Sequence, residues 1–239
     1  LEDLEGPDTR AWIDAENAVT FAYLGKIPER ARIRARLDEI WDYERYGTPS
    51  REGNHYVFSR VAGSKQKQPI LYKVKAIDAE PEVLIDPNAL SADGTVALGI
   101  ASFTRDGRHM AYSLAASGSD WIEWRVREVA TAKDLPDLVK WSKFSGASWR
   151  KDGSGFYYSR YDEPKGEALQ ALNKNQKVFL HTLGTPQDKD ALVYERPDKP
   201  DWSFGADVTE DGRFLLVTQG EGTENKNRVF IQDLGRPGA

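Results

Sequence analysis

Two periods of apolar positions divide this chain of 239 residues. Over the first forty-odd residues the large apolar side chains recur at helical spacing. Trp12, Ala15, Val19 and Ala22 fall on one face of a helix that Asp8 can cap, and Gly25 with Pro28 interrupts it. Pro28 suits a first helical turn, after which Ile33, Leu37, Ile40 and Trp41 form a second stripe ending near Gly47. From His55 onward the pattern changes to short runs rich in Val, Tyr, Phe and Ile, separated by Gly, Pro, Asp and Asn clusters. Strands are predicted over 55–61, 70–75, 97–102, 109–114, 122–129, 155–160, 177–183, 213–218 and 228–234. Residues 1–46 thus read as a two-helix lead-in and 47–239 as a β domain.

Between the β runs a turn recurs: Asp106-Gly107, Asp152-Gly153 and Asp211-Gly212, with a weaker copy at Glu52-Gly53. Glycine supplies a positive φ and aspartate bonds its own backbone, so turn chemistry accounts for these pairs. The spacing is about fifty residues, the period of a four-stranded propeller blade. Blades stack radially, and typically four to eight surround a central channel. The fourth copy is followed by the strand 228–234 and by Gly235-Arg236-Pro237-Gly238-Ala239, which reads as a turn. The fold expected is mainly β, a partial β-propeller of about four blades preceded by two N-terminal helices. An open sheet edge and an apolar blade face are expected with it, and aggregation through them when this piece is expressed alone.

Composition excludes several classes. The chain is 39% hydrophobic and 30% charged, the range of ordinary globular proteins. A net charge of −5 argues against a nucleic-acid partner, which would require a concentrated basic surface. The basic run Arg30, Arg32, Arg34 and Arg36 reads as a solvated helix face. No apolar stretch approaches the ~20 residues of a membrane span, so no membrane partner is expected. The absence of cysteine rules out disulfides and thiolate metal sites, and it fits a cytoplasmic or a periplasmic location equally. The first residue is Leu1, which leaves an upstream targeting segment open.

Catalytic chemistry is sparse. The string nearest to a G-x-S-x-G elbow is Gly153-Ser154-Gly155, inside a hairpin turn. His55, His109 and His181 lie in or beside β runs and read as sheet side chains before they read as general bases. No two histidines are close in sequence, and the Asp-Gly turns lack the alternating carboxylates of a calcium loop. No catalytic residue, metal ligand or cofactor is therefore expected in this chain. Seven tryptophans and ten tyrosines suit packing between blades. Trp121 and Trp124 are ambiguous, because they follow a small polar loop, 115–120, in which Asp120 either faces a partner or caps the loop. The stretch 162–174 has few large apolar residues and is long for a connection within one blade. It reads as a functional or mobile loop, or as a solvated insertion.

Several strings carry a resemblance. Leu114-Ala115-Ala116-Ser117-Gly118-Ser119-Asp120-Trp121 is similar to a second-blade signature of the prolyl oligopeptidases, serine peptidases that cleave short peptides after proline. So are Asp86-Pro87-Asn88 with 90–98, residues 175–185, and Leu1-Glu2-Asp3, and the resemblance covers essentially the whole chain. It implies a seven-bladed propeller, preceded by a segment that packs on an α/β-hydrolase domain whose main part follows. The Ser, Asp and His triad would lie outside this chain, leaving it inactive alone. The propeller would act as lid and size filter over the catalytic domain. The partners implied are that domain and short proline-containing peptides. The resemblance further implies a substrate-pocket role for Phe144, Ser203 and Thr223, the last two differing from the residues of animal members, and an interdomain role for Asp120 and Trp121. Gly220 stands where some members have Arg, and the loop 162–174 falls near the domain interface, where it would gate access. An oligopeptidase B-like peptidase, or a non-catalytic propeller that binds a partner, are the alternatives.

Overall fold

The computed structural model describes residues 2–76, 78–166 and 168–236, and among these the chain forms two units. One runs to Arg45 and takes in Ala62–Gln66, while the other holds Tyr46–Val61 and continues from Lys67.

The first unit contains α1 (Pro7–Gly25) and α2 (Arg30–Trp41). Asp8 does not cap α1. Gly6 is the N-cap and Pro7 opens the helix, because the fixed φ of proline suits the first helical position, which puts Asp8 inside the first turn. There its charge still complements the helix dipole. Pro28 precedes α2 rather than lying in its first turn. The helix ends at Trp41, short of Gly47, where Asp42 leaves helical geometry (φ −86°, ψ 65°). The Asp42 carboxylate accepts from the Ser64 amide and hydroxyl, both at 2.9 Å, and these bonds hold its pKa below the usual carboxylate value. The arginines of α2 are exposed, but at every second position they spread around the helix instead of sharing a face.

The second unit is built of four antiparallel sheets. The first combines β1 (Arg45–Tyr46), β2 (Ser50–Glu52), β3 (His55–Val61), β4 (Ile70–Val74) and β5 (Glu82–Ile85). The second holds β6 (Val96–Phe103), β7 (His109–Ala116), β8 (Ile122–Glu128) and β9 (Lys133–Ser142), each hydrogen-bonded to the next. The third repeats that order with β10 (Ala147–Trp149), β11 (Gly155–Arg160), β12 (Lys177–Thr182) and β13 (Ala191–Tyr194). The fourth has β14 (Trp202–Val208), β15 (Phe214–Glu221) and β16 (Arg228–Asp233). This is the architecture of a partial propeller.

Apolar clusters lie between consecutive sheets. Leu84 and Ile85 meet Met110 and Tyr112, Trp124 meets Trp149 and Phe156, and Tyr157 and Val178 meet Trp202, Phe204 and Leu215. On β16, Val229 and Ile231 remain 54% and 66% exposed.

The Asp-Gly turns form as their chemistry dictates. Asp106 Oδ1 accepts from the Thr104 hydroxyl (2.7 Å) and the Arg108 amide (3.0 Å), and Asp211 repeats the pattern with Thr209 (2.6 Å) and Arg213 (3.0 Å). The glycines also serve a purpose that turn chemistry does not reveal. A Cβ on Gly53 would collide with the Asp106 carbonyl, one on Gly107 with the Glu52 carbonyl, and one on Gly212 with the Lys151 side chain. Turns of neighbouring sheets thus pack tip to tip along one edge of the unit.

Candidate functional site

At the edge opposite those turns, the connection from β9 to β10 is held in an unusual conformation. Trp141 and Phe144 have φ of 63° and 52°, a left-handed geometry that bulky residues rarely adopt. Hydrogen bonds impose it. The Tyr161 amide donates to the Trp141 carbonyl (2.9 Å), the Ser142 hydroxyl to the Ser159 carbonyl (2.6 Å), and the Gln176 amide group to the Lys143 carbonyl (2.9 Å). The Ser159 amide in turn donates to the Ser145 hydroxyl (2.7 Å). Clamped this way, the segment turns Phe144 outward, 61% exposed.

Behind it the Lys143 side chain is buried. Its ammonium lies 4.0 Å from the centre of the Trp121 ring and donates to Asn173 Oδ1 at 3.1 Å. The Trp121 ring packs edge-on to Trp141 (5.7 Å) and Tyr161 (6.0 Å), and its indole N–H donates to the Ala168 carbonyl (2.7 Å). Trp121 and Lys143 thereby anchor the loop 162–174, which carries the short helical turn Ala168–Gln170 and exposes Leu169 and Leu172. Asp120 is exposed beside Trp121. The loop before it is closed by Ser119, whose hydroxyl accepts from the Trp121 amide at 3.1 Å, so Asp120 is not its cap. Trp124, the other ambiguous indole, is fully buried in the core between sheets.

Gln176 ties this cluster to the fourth sheet. Its side-chain oxygen accepts from the Phe204 amide at 2.6 Å while its NH2 holds the Lys143 carbonyl. Ser203 is the neighbour of Phe204 on β14, opposite Gly220, whose carbonyl its hydroxyl approaches at 3.4 Å. Thr223 lies in the exposed turn after β15, with no hydrogen bond to the cluster among the described residues. Trp121 and Lys143 are thus in direct contact, with Asp120 and Phe144 as their exposed chain neighbours, Ser203 is linked to them through Phe204 and Gln176, and Thr223 stands apart. Lys143 and Gln176 are organisers that sequence reasoning misses, because nothing local distinguishes a buried lysine or glutamine from a surface one.

A second polar cluster is buried between the second and third sheets, with Asp137 on β9 and His181 on β12. His181 is fully buried, with Nε2 3.0 Å from Asp137 Oδ1 and Nδ1 2.7 Å from Asp190 Oδ1. Burial disfavours its charged form, but the bonds to both aspartates and their charges outweigh that and push its pKa up to about 9. The Tyr158 hydroxyl donates to Asp190 Oδ2 at 2.6 Å, and burial together with this bond pushes the phenol pKa up. The group is sealed from solvent and cannot serve as a base toward substrate. Asp137 and Asp190 sit on and beside strands that sequence periodicity misses, which is why the cluster was invisible there.

Among the described residues, no group of three or more His, Cys, Asp or Glu side chains is placed to hold a metal ion, and no helix is long and apolar enough to cross a membrane.

Comparison with known proteins gives this edge a context. The chain is 39% identical over 235 residues to a prolyl endopeptidase of Elizabethkingia meningoseptica, covering 98% of this chain and 33% of that protein. It is 31% identical to prolyl oligopeptidase A of Amanita bisporigera, over 96% of this chain and 33% of that protein. The structure superposes with a TM-score of 0.86 on prolyl oligopeptidase B from Galerina marginata bound to a 35mer hydrolysis and macrocyclization substrate, at 28% identity, covering 96% of this chain and 34% of that one. Oligopeptidase B from Leishmania major shares the fold at 21% identity and a TM-score of 0.76. The chain spans about a third of the curated relatives it matches. Residues 1–239 match the family described as the prolyl oligopeptidase N-terminal β-propeller domain, and the chain belongs to that family.

Proposed function

We propose that this chain is the lid portion of a serine endopeptidase that cleaves short peptides after proline, and that the edge carrying Phe144 faces the catalytic domain. The observation that carries this reading is the outward Phe144, held at a strained φ by a buried hydrogen-bond frame, in a chain whose relatives are prolyl endopeptidases. Strain in a bulky residue persists only where the surroundings enforce it, and such residues cluster at ligand sites. Phe144 supplies an apolar wall to the substrate pocket beyond the proline, Ser203 and Thr223 line it further, and Asp120 and Trp121 meet the catalytic domain. The nucleophile, base and oxyanion donors belong to that domain. The segment 1–46 packs on it as a separate unit, and 47–239 forms the lid.

The test uses the full-length protein carrying this chain and blocked peptide anilides ending in proline or in arginine. Cleavage of the proline substrate is expected, with Phe144→Ala raising KM about tenfold and leaving kcat unchanged, the loss of an apolar contact made equally in ground and transition states. Preference for the arginine substrate would assign the oligopeptidase B activity instead. Absence of hydrolysis would favour the partner-binding propeller.

A further inference from the structure

A cleft of about 550 Å³ opens on the face of the second sheet, within the size range of small-molecule sites. Its walls are apolar and aromatic, formed by Leu90, Tyr112, Leu114, Trp121, Ile122 and Trp141. Trp141 is the residue held at φ 63°, so the backbone strain at this edge also shapes the cleft. Four charged side chains line it: Glu123, Arg125, Asp134 and Lys140.

Their pairing is unequal. Asp134 is fully engaged, accepting from Arg127 Nε (2.7 Å), Arg127 Nη2 (2.9 Å) and the Tyr112 hydroxyl (2.9 Å). Glu123 is shared by two cations at long range, Arg125 Nη2 at 3.4 Å and Lys140 Nζ at 3.7 Å. The Nε–H of Arg125 is closed to bulk water and has no acceptor among the described residues. One carboxylate between two cations leaves a surplus positive charge beside apolar walls, and the surplus sits on a guanidinium fork suited to a carboxylate.

We propose that this cleft binds small carboxylates with an aromatic or branched apolar body, the carboxylate on Arg125 and Lys140 and the body against Trp121 and Ile122. Binding is read directly, so the measurement makes no reference to hydrolysis.

The probe is 3-phenylpropionate, titrated by calorimetry and by saturation-transfer NMR into the full-length protein, with 3-phenylpropionamide as the uncharged control. For a ligand of this size the expected Kd is about millimolar. The amide is expected to bind at least about tenfold more weakly. Arg125→Met is expected to weaken the acid about tenfold without affecting the amide. Glu123→Gln removes the competing carboxylate and is expected to tighten the acid about threefold, a gain that damage to the fold would not produce. Should Arg125→Met fail to fold, Lys140→Met and Glu123→Gln carry the test. Equal binding of acid and amide, or acid binding indifferent to both Glu123→Gln and the cation variants, would overturn the proposal.

Discussion

An imidazole flanked by a carboxylate at each nitrogen has no neutral form that donates to both, so the imidazolium is the form of His181 that satisfies two ionised aspartates. Its pKa is raised from the ordinary 6.5 to about 9, which fixes the sign of a pH effect. The stabilisation is fully present below about pH 6.5 and is lost as pH rises through the folded value of about 9, and linkage puts it at roughly 3 kcal/mol. Asp137 works in the other direction. Burial tends to raise its pKa, but the bonds from His181 and the Gly184 amide outweigh this and hold it low, so its contribution is lost as pH falls through that lowered value. Urea unfolding midpoints at about pH 7 and pH 9.5 test the alkaline limb. The unmodified chain should lose stability between them. His181→Gln, which strands two buried carboxylates, should cost about 3–5 kcal/mol at pH 7 and flatten the pH response. An alkaline loss of equal size in the variant would show that His181 is not its source.

Within the elements, the hairpin glycines separate two effects that sequence alone merges. Gly107 (φ 67°) and Gly184 (φ 76°) both occupy left-handed geometry, but a Cβ meets the Glu52 carbonyl at Gly107 and open space at Gly184. Gly184→Ala should therefore cost about 1 kcal/mol, the conformational penalty alone. Gly107→Ala adds overpacking between turns and should cost about 3 kcal/mol. Equal denaturation midpoints for the two variants would remove the tip-to-tip contact from the account.

The same contrast explains what the sequence made legible. Asp-Gly with flanking β runs is local chemistry, so the turns, their period and the central strands of each sheet are readable. Strands that owe their state to a neighbour are not. Strand β9 contains Pro136, tolerable because β9 is an edge of its sheet and the missing N–H costs no ladder bond. Strand β14 contains Gly205 and is stabilised by pairing with β15 along its whole length. Phe144 could be singled out by the family resemblance, whereas the left-handed backbone that exposes it comes from Ser142, Ser159, Tyr161 and Gln176, residues distant in sequence that only the fold assembles.

For the molecule as a whole, the edge bearing Phe144 combines exposed apolar side chains with an unneutralised charge. Phe144, Leu169 and Leu172 are 61%, 78% and 77% exposed, and Asp120 makes no ion pair among the described residues. If this edge closes against a catalytic domain, as proposed, the apolar groups supply contact area, and Asp120 supplies a charge whose reach depends on screening. At about 0.1 M salt the Debye length is about 10 Å and at about 1 M only about 3 Å, so a charge pair across a solvated interface weakens steeply over that range. Such pairs are worth up to about 1 kcal/mol, a few-fold in a rate constant. For the full-length protein, kcat/KM on a proline anilide should thus change about two- to fivefold between those salt concentrations. Asp120→Asn should remove most of that dependence while leaving the high-salt value close to that of the unmodified protein. Phe144→Ala provides the contrast, because loss of an apolar wall should lower kcat/KM at every salt concentration without changing the slope. A variant Asp120→Asn that kept the full salt response would place the charge sensitivity elsewhere and remove Asp120 from the domain interface.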